Sequence, residues 1–205
     1  MENSYFFIHY LVEQRKTILI ILGIFLILGI LATVIHPFEY SSTTRVLIIH
    51  KINSNLDAYT AARAAEKLTQ NLATIIYSSS FLDTLATSHN INLPKDERQR
   101  RQAWKNKIAI TVEPSTSILE IRAYDKSRED AQKLAYLVAN TLITQGKEYH
   151  GGGQDVVIKL LDKPLTSRFF ARPNIVFNLL SSLALGLIFA YFVALRKYYL
   201  RFKRR

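Results

Sequence analysis

TILIILGIFLILGILATVI, residues 17 to 35, is a run of 19 residues without a charge, and its reading decides the architecture. As a helix rising 1.5 Å per residue it reaches about 28 Å, close to the hydrocarbon thickness of a bilayer. Arg15 and Lys16 precede it and His36–Pro37 follow it. A cleaved signal peptide has a shorter apolar core and a small-residue cleavage pattern. No A-x-A site follows here, so the run reads as a retained anchor. A second uncharged run, NIVFNLLSSLALGLIFAYFVAL, fills residues 174 to 195 between Arg172 and Arg196. Helices buried in soluble domains are seldom uncharged on every face over this length, which makes it a second span.

The 205 residues carry 27 Lys+Arg against 16 Asp+Glu, a net charge of +11. Spread over a soluble domain, that excess would suggest nucleic acid. The two apolar runs take up 41 residues, however, leaving 43 charges on the other 164, about 26%, an ordinary soluble density. A nucleic-acid partner is therefore not expected. With no cysteine in the chain, disulfide scaffolds, thiolate zinc sites, iron–sulfur clusters and cysteine nucleophiles drop out.

Two spans put both ends on one side. RKYYLRFKRR, residues 196–205, holds six bases (Arg196, Lys197, Arg201, Lys203, Arg204 and Arg205) and no acid, and Arg15–Lys16 flank the first run. The positive-inside rule then places both ends in the cytoplasm. The expected organisation is a cytoplasmic segment (1–16), a first span (17–36), an extracytoplasmic domain (37–173), a second span (174–195) and a basic tail (196–205). Lys159, Lys163, Arg168 and Arg172 lie on the outer side, but long loops translocate with little regard to charge. Tyr191, Phe192, Tyr198 and Tyr199 suit an aromatic belt near the inner interface. Ahead of the first span, SYFFIHYLVEQRKT reads either as a short interfacial helix with Tyr5, Ile8 and Val12 toward lipid, or as a frayed terminus.

The 137 residues from Pro37 to Pro173 are enough for a core and too poor in Gly and Pro for a linker. Tyr40–Lys51 is β-branched and reads as a strand, bounded by Asn53-Ser54-Asn55. Between Leu56 and Tyr77, Ala61, Ala65, Leu68, Leu72 and Ile75 recur with helical spacing. A shorter helix is expected over Ser80–Ser88, then a break at Asn90–Pro94 and a charged surface helix over Asp96–Lys107. Strands Ile108–Glu113 and Ile118–Tyr124 flank a Pro114–Ser117 turn, with Ile118, Glu120, Arg122 and Tyr124 on a wet face. Ser127 and Asp130 open a helix whose stripe is Ala131, Leu134, Ala135, Val138 and Leu142. The glycines at 151–153 form a flexible link, and Val156–Leu161 is a last strand. The domain is α+β.

Catalytic patterns are missing. The five histidines have no metal-ligand spacing, and neither a nucleophile elbow nor a phosphate-binding loop occurs. Asp96–Glu97 and Glu129–Asp130 stand at helix starts, where dipole compensation explains them better than acid–base catalysis. No enzyme activity, cofactor or metal is expected. In the second span, Ser182, Gly186, Ala190 and Ala194 recur every four residues. Such a ridge suits helix packing in lipid, against the first span with Gly23 and Gly29 or against the same span of a neighbour. Arg98, Arg101 and Lys105 share a helical face, either a solvated or protomer-contacting surface or a contact for an acidic sugar polymer.

The layout resembles the chain-length determinant family, the Wzz-type polysaccharide co-polymerases. The resemblance rests on the short segment ending in Arg15–Lys16, the span, and FEYSSTTRVLI as first strand. It rests most on TVEPSTSILEIRAYDKSREDAQKLAYLVANTLI (Thr111–Ile143), similar to the family's strand–strand–helix passage, with Asp125 after the strand and Ala135 to Asn140 in the helix. Pro164, Pro173 and Asn174 then precede the second span like the family's proline-rich approach to that helix, where Gly186 matches a usual glycine.

By resemblance, the chain is a non-catalytic scaffold in a bacterial inner membrane, forming a ring-like homo-oligomer. It would regulate the length of a surface polysaccharide (O-antigen, capsule or exopolysaccharide) made by a separate polymerase, with the polysaccharide chain and membrane lipids as further partners. The short loop and the lack of a kinase domain also suit the adaptors that activate a separate tyrosine kinase in capsule or exopolysaccharide systems. The basic tail would then contact either that kinase or anionic lipid. An extracellular sensor would need an output module, for which ten residues leave no room.

Overall fold

The computed structural model describes residues 14–51, 57–89, 94–150 and 155–202. The segment around Tyr5, Ile8 and Val12, the turn at Asn53–Asn55, the glycines at 151–153, and Lys203, Arg204 and Arg205 lie outside the described residues. The elements are α1 (Arg15–Ile35), β1 (Tyr40–His50), α2 (Ala58–Ile75), α3 (Ser79–His89), α4 (Glu97–Lys107), β2 (Ile108–Val112), β3 (Ile118–Asp125), α5 (Arg128–Gln145), α6 (Lys147–His150), β4 (Val156–Thr166) and α7 (Ile175–Phe202). They divide into two compact units, Met1–Pro37 with Arg172–Arg205, and Phe38–Ala171.

The first unit is the helix pair α1 and α7. Both helices are long and apolar enough to cross a membrane, and most of each apolar window is exposed. A core helix of a soluble protein hides such residues, and an exposed apolar helix of this length suits an apolar surrounding. Helix α7 runs beyond Leu195 to Phe202. Nothing in Arg196–Phe202 (RKYYLRF) stops it, because the stretch lacks Gly and Pro.

The second unit is an antiparallel sheet in the order β2-β3-β1-β4. Its inward positions alternate along each strand, with Ser42, Thr44, Val46 and Ile48 of β1 buried beside Leu119, Ile121 and Ala123 of β3. Helices α2 and α5 pack on the sheet, and Leu72, Ile76, Val138 and Leu142 close the core from their side. Each starts at a side-chain cap: Asp57 accepts from the Thr60 amide, and Ser127 from that of Asp130. Helix α4 is capped in the same way by Asp96, which accepts from the Gln99 amide.

Three local details depart from the sequence reading. The buried stripe of α2 is Ala61, Ala65, Thr69 and Leu72, with Leu68 and Ile75 only partly buried. Thr69 tolerates burial because its hydroxyl donates to Ala65 O at 2.7 Å. Tyr124, expected on the wet face, is only 7% exposed and bonds to the Arg122 side chain. Strand β4 extends to Thr166, so Pro164 lies inside it rather than after it. An edge strand accepts a proline because one side of its backbone needs no partner. Register shifts around Arg45 absorb the irregularity, and the Thr44 hydroxyl donates to Asp162 O at 2.6 Å.

Candidate functional site

Within the helix pair, Ser182, Gly186, Ala190 and Ala194 are the buried positions of α7 among its described side chains. Their small side chains let α1 come close. A methyl group at Gly29 would lie 2.5 Å from Ser182 Oγ and 2.7 Å from Ser182 Cβ, so only glycine fits there without movement. At Gly186 the corresponding neighbours are Phe25 Cβ at 3.1 Å and Leu22 Cδ2 at 3.2 Å, while Gly23 faces open space. The close approach therefore involves Gly29 and Gly186, and Gly23 takes no part.

Polar contacts lie at both ends of this pair. Asn178 Nδ2 donates to Thr33 Oγ1 at 3.2 Å, and Thr33 Oγ1 donates to Gly29 O at 2.8 Å. At the other end Lys197 Nζ reaches Gln14 Oε1 and Thr17 Oγ1, each at 3.5 Å. Between them Phe25 and Phe189 meet with ring centroids 5.6 Å apart. The sequence reading does not single out Asn178 and Thr33, although Asn178 continues the ridge one step before Ser182 and Thr33 sits four residues after Gly29. The signal was the four-residue spacing, extended to polar residues that bond across helices in lipid.

Asn174 caps α7, its Oδ1 accepting from the Phe177 amide at 3.1 Å, directly after Pro173 and its cis peptide bond to Arg172. Of the basic group beyond the apolar run, Arg196, Lys197 and Arg201 lie on α7 itself.

The charged face of α4 separates into two kinds of residue. Arg101 Nε donates to Ser79 Oγ at 2.8 Å and to Glu97 Oε1 at 2.7 Å, and Arg100 pairs with Asp83 at 2.7 Å and with Glu97. These bonds join α4 to α3. Glu97 also accepts from the Ser79 hydroxyl, and this bond, with the two guanidinium groups, lowers its pKa to about 2. Arg98 and Lys105 are exposed and have no ion pair among the described residues, and Lys105 borders a groove with Thr74, Tyr77 and Ile110. Opposite this face, Trp104 is 1% exposed and its Nε1 donates to Ile76 O at 2.8 Å. A helix read as a charged surface element is thus anchored by the chain's single tryptophan.

On the open side of the sheet, Arg45 pairs with Asp162 at 2.9 Å and Glu113 at 3.3 Å. Pro164 O accepts from Gln132 Nε2 at 3.4 Å beside a groove of about 640 Å³ between α5 and β4. Among the described residues, no three of His, Asp and Glu gather as metal ligands would. No protein-family model matches this chain, and no curated protein matches it in sequence.

Proposed function

We propose that the chain is a membrane-anchored, non-catalytic scaffold of the chain-length determinant type, which regulates the length of a surface polysaccharide made by a separate polymerase. One observation carries this reading. The strands that continue toward the two apolar helices, β1 and β4, are neighbours in a single sheet. A domain inserted in this way has both tethers at adjacent strands of one sheet, which suits a scaffold. The Thr111–Ile143 stretch, whose resemblance suggests the family, runs from the end of β2 through β3 and most of α5, a hairpin followed by the helix that packs on its sheet. In this reading α1 and α7 cross the inner membrane with both ends in the cytoplasm, and copies of the domain associate around the growing polymer.

A second reading is favoured by the continuation of α7 through Arg196, Lys197 and Arg201. A basic helix that continues the apolar one is a ready contact for a cytoplasmic tyrosine kinase, which the chain would activate. The size distribution of surface polysaccharide, in cells lacking the protein and in cells with it restored, separates the two. A clustered length that becomes random or short supports the scaffold. Loss of all polymer favours the kinase adaptor, and an unchanged ladder rejects both.

A further inference from the structure

The end of the domain nearest in sequence to the apolar helices carries a projecting aromatic residue on a fixed base. Ser167 N donates to Ser41 O at 2.7 Å, and Ala171 N to Glu39 O, also at 2.7 Å. Between these two bonds β1 contributes one residue, Tyr40, whereas the returning strand must fit Arg168, Phe169 and Phe170. The excess loops outward. Phe170 folds back onto the rings of Tyr40 and Phe38, at 4.6 and 5.1 Å. Phe169 is left 77% exposed, and Leu165, four residues earlier, is 79% exposed.

The loop is held in this shape. Ser167 Oγ donates to Phe169 O at 2.8 Å and itself accepts from Ser41 N at 3.1 Å. The Arg128 guanidinium lies over the Tyr40 ring at 4.9 Å and donates to Arg168 O. The Arg168 side chain is exposed and has no ion pair among the described residues. The hydrogen-bonded base thus presents Phe169 outward, beside the exposed Arg168, rather than letting it fold onto the domain. Phe169 precedes Ile175, the start of α7, by six residues, a reach of at most about 21 Å of extended chain.

We propose that this loop is a lipid-docking tip: Phe169 and Leu165 insert at the level of the membrane headgroups, and Arg168 binds lipid phosphate. Aromatic residues favour the interface, where the ring leaves water while its surroundings stay polar. A guanidinium matches a phosphate with two parallel bonds, and it gains from an anionic surface. The inference rests on α1 and α7 being membrane spans, and the test separates the two.

The chain has no cysteine, so a single one places a label without interference. Phe169→Cys and, on the exposed side of α7, Phe192→Cys are each coupled to an environment-sensitive fluorophore, and the full chain is placed in nanodiscs of anionic phospholipid. Quenching is read with spin-labelled lipid and with aqueous iodide. Lipid quenching at both positions, with iodide excluded, is the expected result. Arg168→Glu should reduce lipid quenching at position 169 and leave position 192 unchanged. Iodide quenching at 169, with lipid quenching only at 192, overturns the docking tip while keeping the spans. Shielding of 169 from both quenchers also overturns it and assigns the tip to a protein contact such as a second copy. An absence of lipid quenching at 192 rejects the spans and the tip with them.

Discussion

Adding one methyl group at Gly29 tests the helix pair most directly. The new carbon of Gly29→Ala would sit 2.5 Å from Ser182 Oγ and 2.7 Å from Ser182 Cβ. Rotation of the serine removes the first conflict but not the second, because its Cβ is fixed to the backbone. Ordinary contact begins near 3.4 Å, so the helices must separate locally by about 0.7 Å, at the overpacking cost of roughly 1–3 kcal/mol. Gly186→Ala meets Phe25 Cβ at 3.1 Å and the mobile end of Leu22 at 3.2 Å. A shift of a few tenths of an ångström suffices there, and the effect should stay below about 1 kcal/mol. Gly23→Ala meets nothing and serves as the control. The gain in helix propensity on replacing glycine is common to all three and cancels in the comparison.

The assay uses Thr33→Cys with Asn178→Cys in the otherwise cysteine-free chain, since those side chains meet at 3.2 Å. The yield of the disulfide, under mild oxidation in lipid, reports how often the helices are packed. Yield should fall most for Gly29→Ala, little for Gly186→Ala and not at all for Gly23→Ala. Equal losses at Gly23 and Gly29 would refute the reasoning, because the two differ only in what faces them.

Further outcomes concern the Phe38–Ala171 unit. Trp104→Ala removes the largest buried side chain and should cost about 3–5 kcal/mol in chemical unfolding of the full chain. Trp104→Phe strands the Ile76 carbonyl and should cost about 1–3 kcal/mol. Glu97 is held charged down to about pH 2, below its ordinary value of 4.5. Its contribution to stability is therefore complete above 4.5 and lost as the pH falls toward 2, and Glu97→Gln should flatten the stability profile in that window. Ser115, at φ 57° in the turn between β2 and β3, occupies a conformation that glycine adopts without cost. Ser115→Gly should raise stability by up to about 1 kcal/mol, and a loss would show that its side chain holds the turn.

What was legible in the sequence follows from which signals were strong. Uninterrupted apolar runs expose both long helices, and the apolar stripe Ala131, Leu134, Ala135, Val138 and Leu142 is buried in α5 as expected, with Ala139 and the polar Thr141 joining it. Signals that mixed polar and apolar roles misled. Thr69 occupies a core position that its bond to Ala65 O makes tolerable, so the sequence points to its neighbour Leu68 there, while Ala61, Ala65 and Leu72 of the same stripe are buried as expected. The polar residues at 162 and 163, together with Pro164, hide the second half of β4, whose pairing with β1 is a long-range fact. On α4 the charges of Arg98, Arg101 and Lys105 were visible, but the division of labour among them was not. It depends on Ser79, which lies 22 residues before Arg101 in another helix. The glycines of α1 looked alike in sequence, and only the facing serine distinguishes Gly29 from Gly23.

The pairing of β1 with β4 has a mechanical consequence. The chain enters β1 and leaves β4 at the same end of two antiparallel neighbours, where Ser42 faces Thr166. A force drawing the two tethers apart therefore loads the hydrogen bonds one at a time, like a zipper, rather than all together in shear. The first to be loaded are Ala171 to Glu39 and Ser167 to Ser41. Such a ladder opens under far less tension than a sheared one. Lateral separation of the tethers would be felt first as peeling at that end of the sheet, while the hairpin of β2 and β3, on the far side of β1, stays intact.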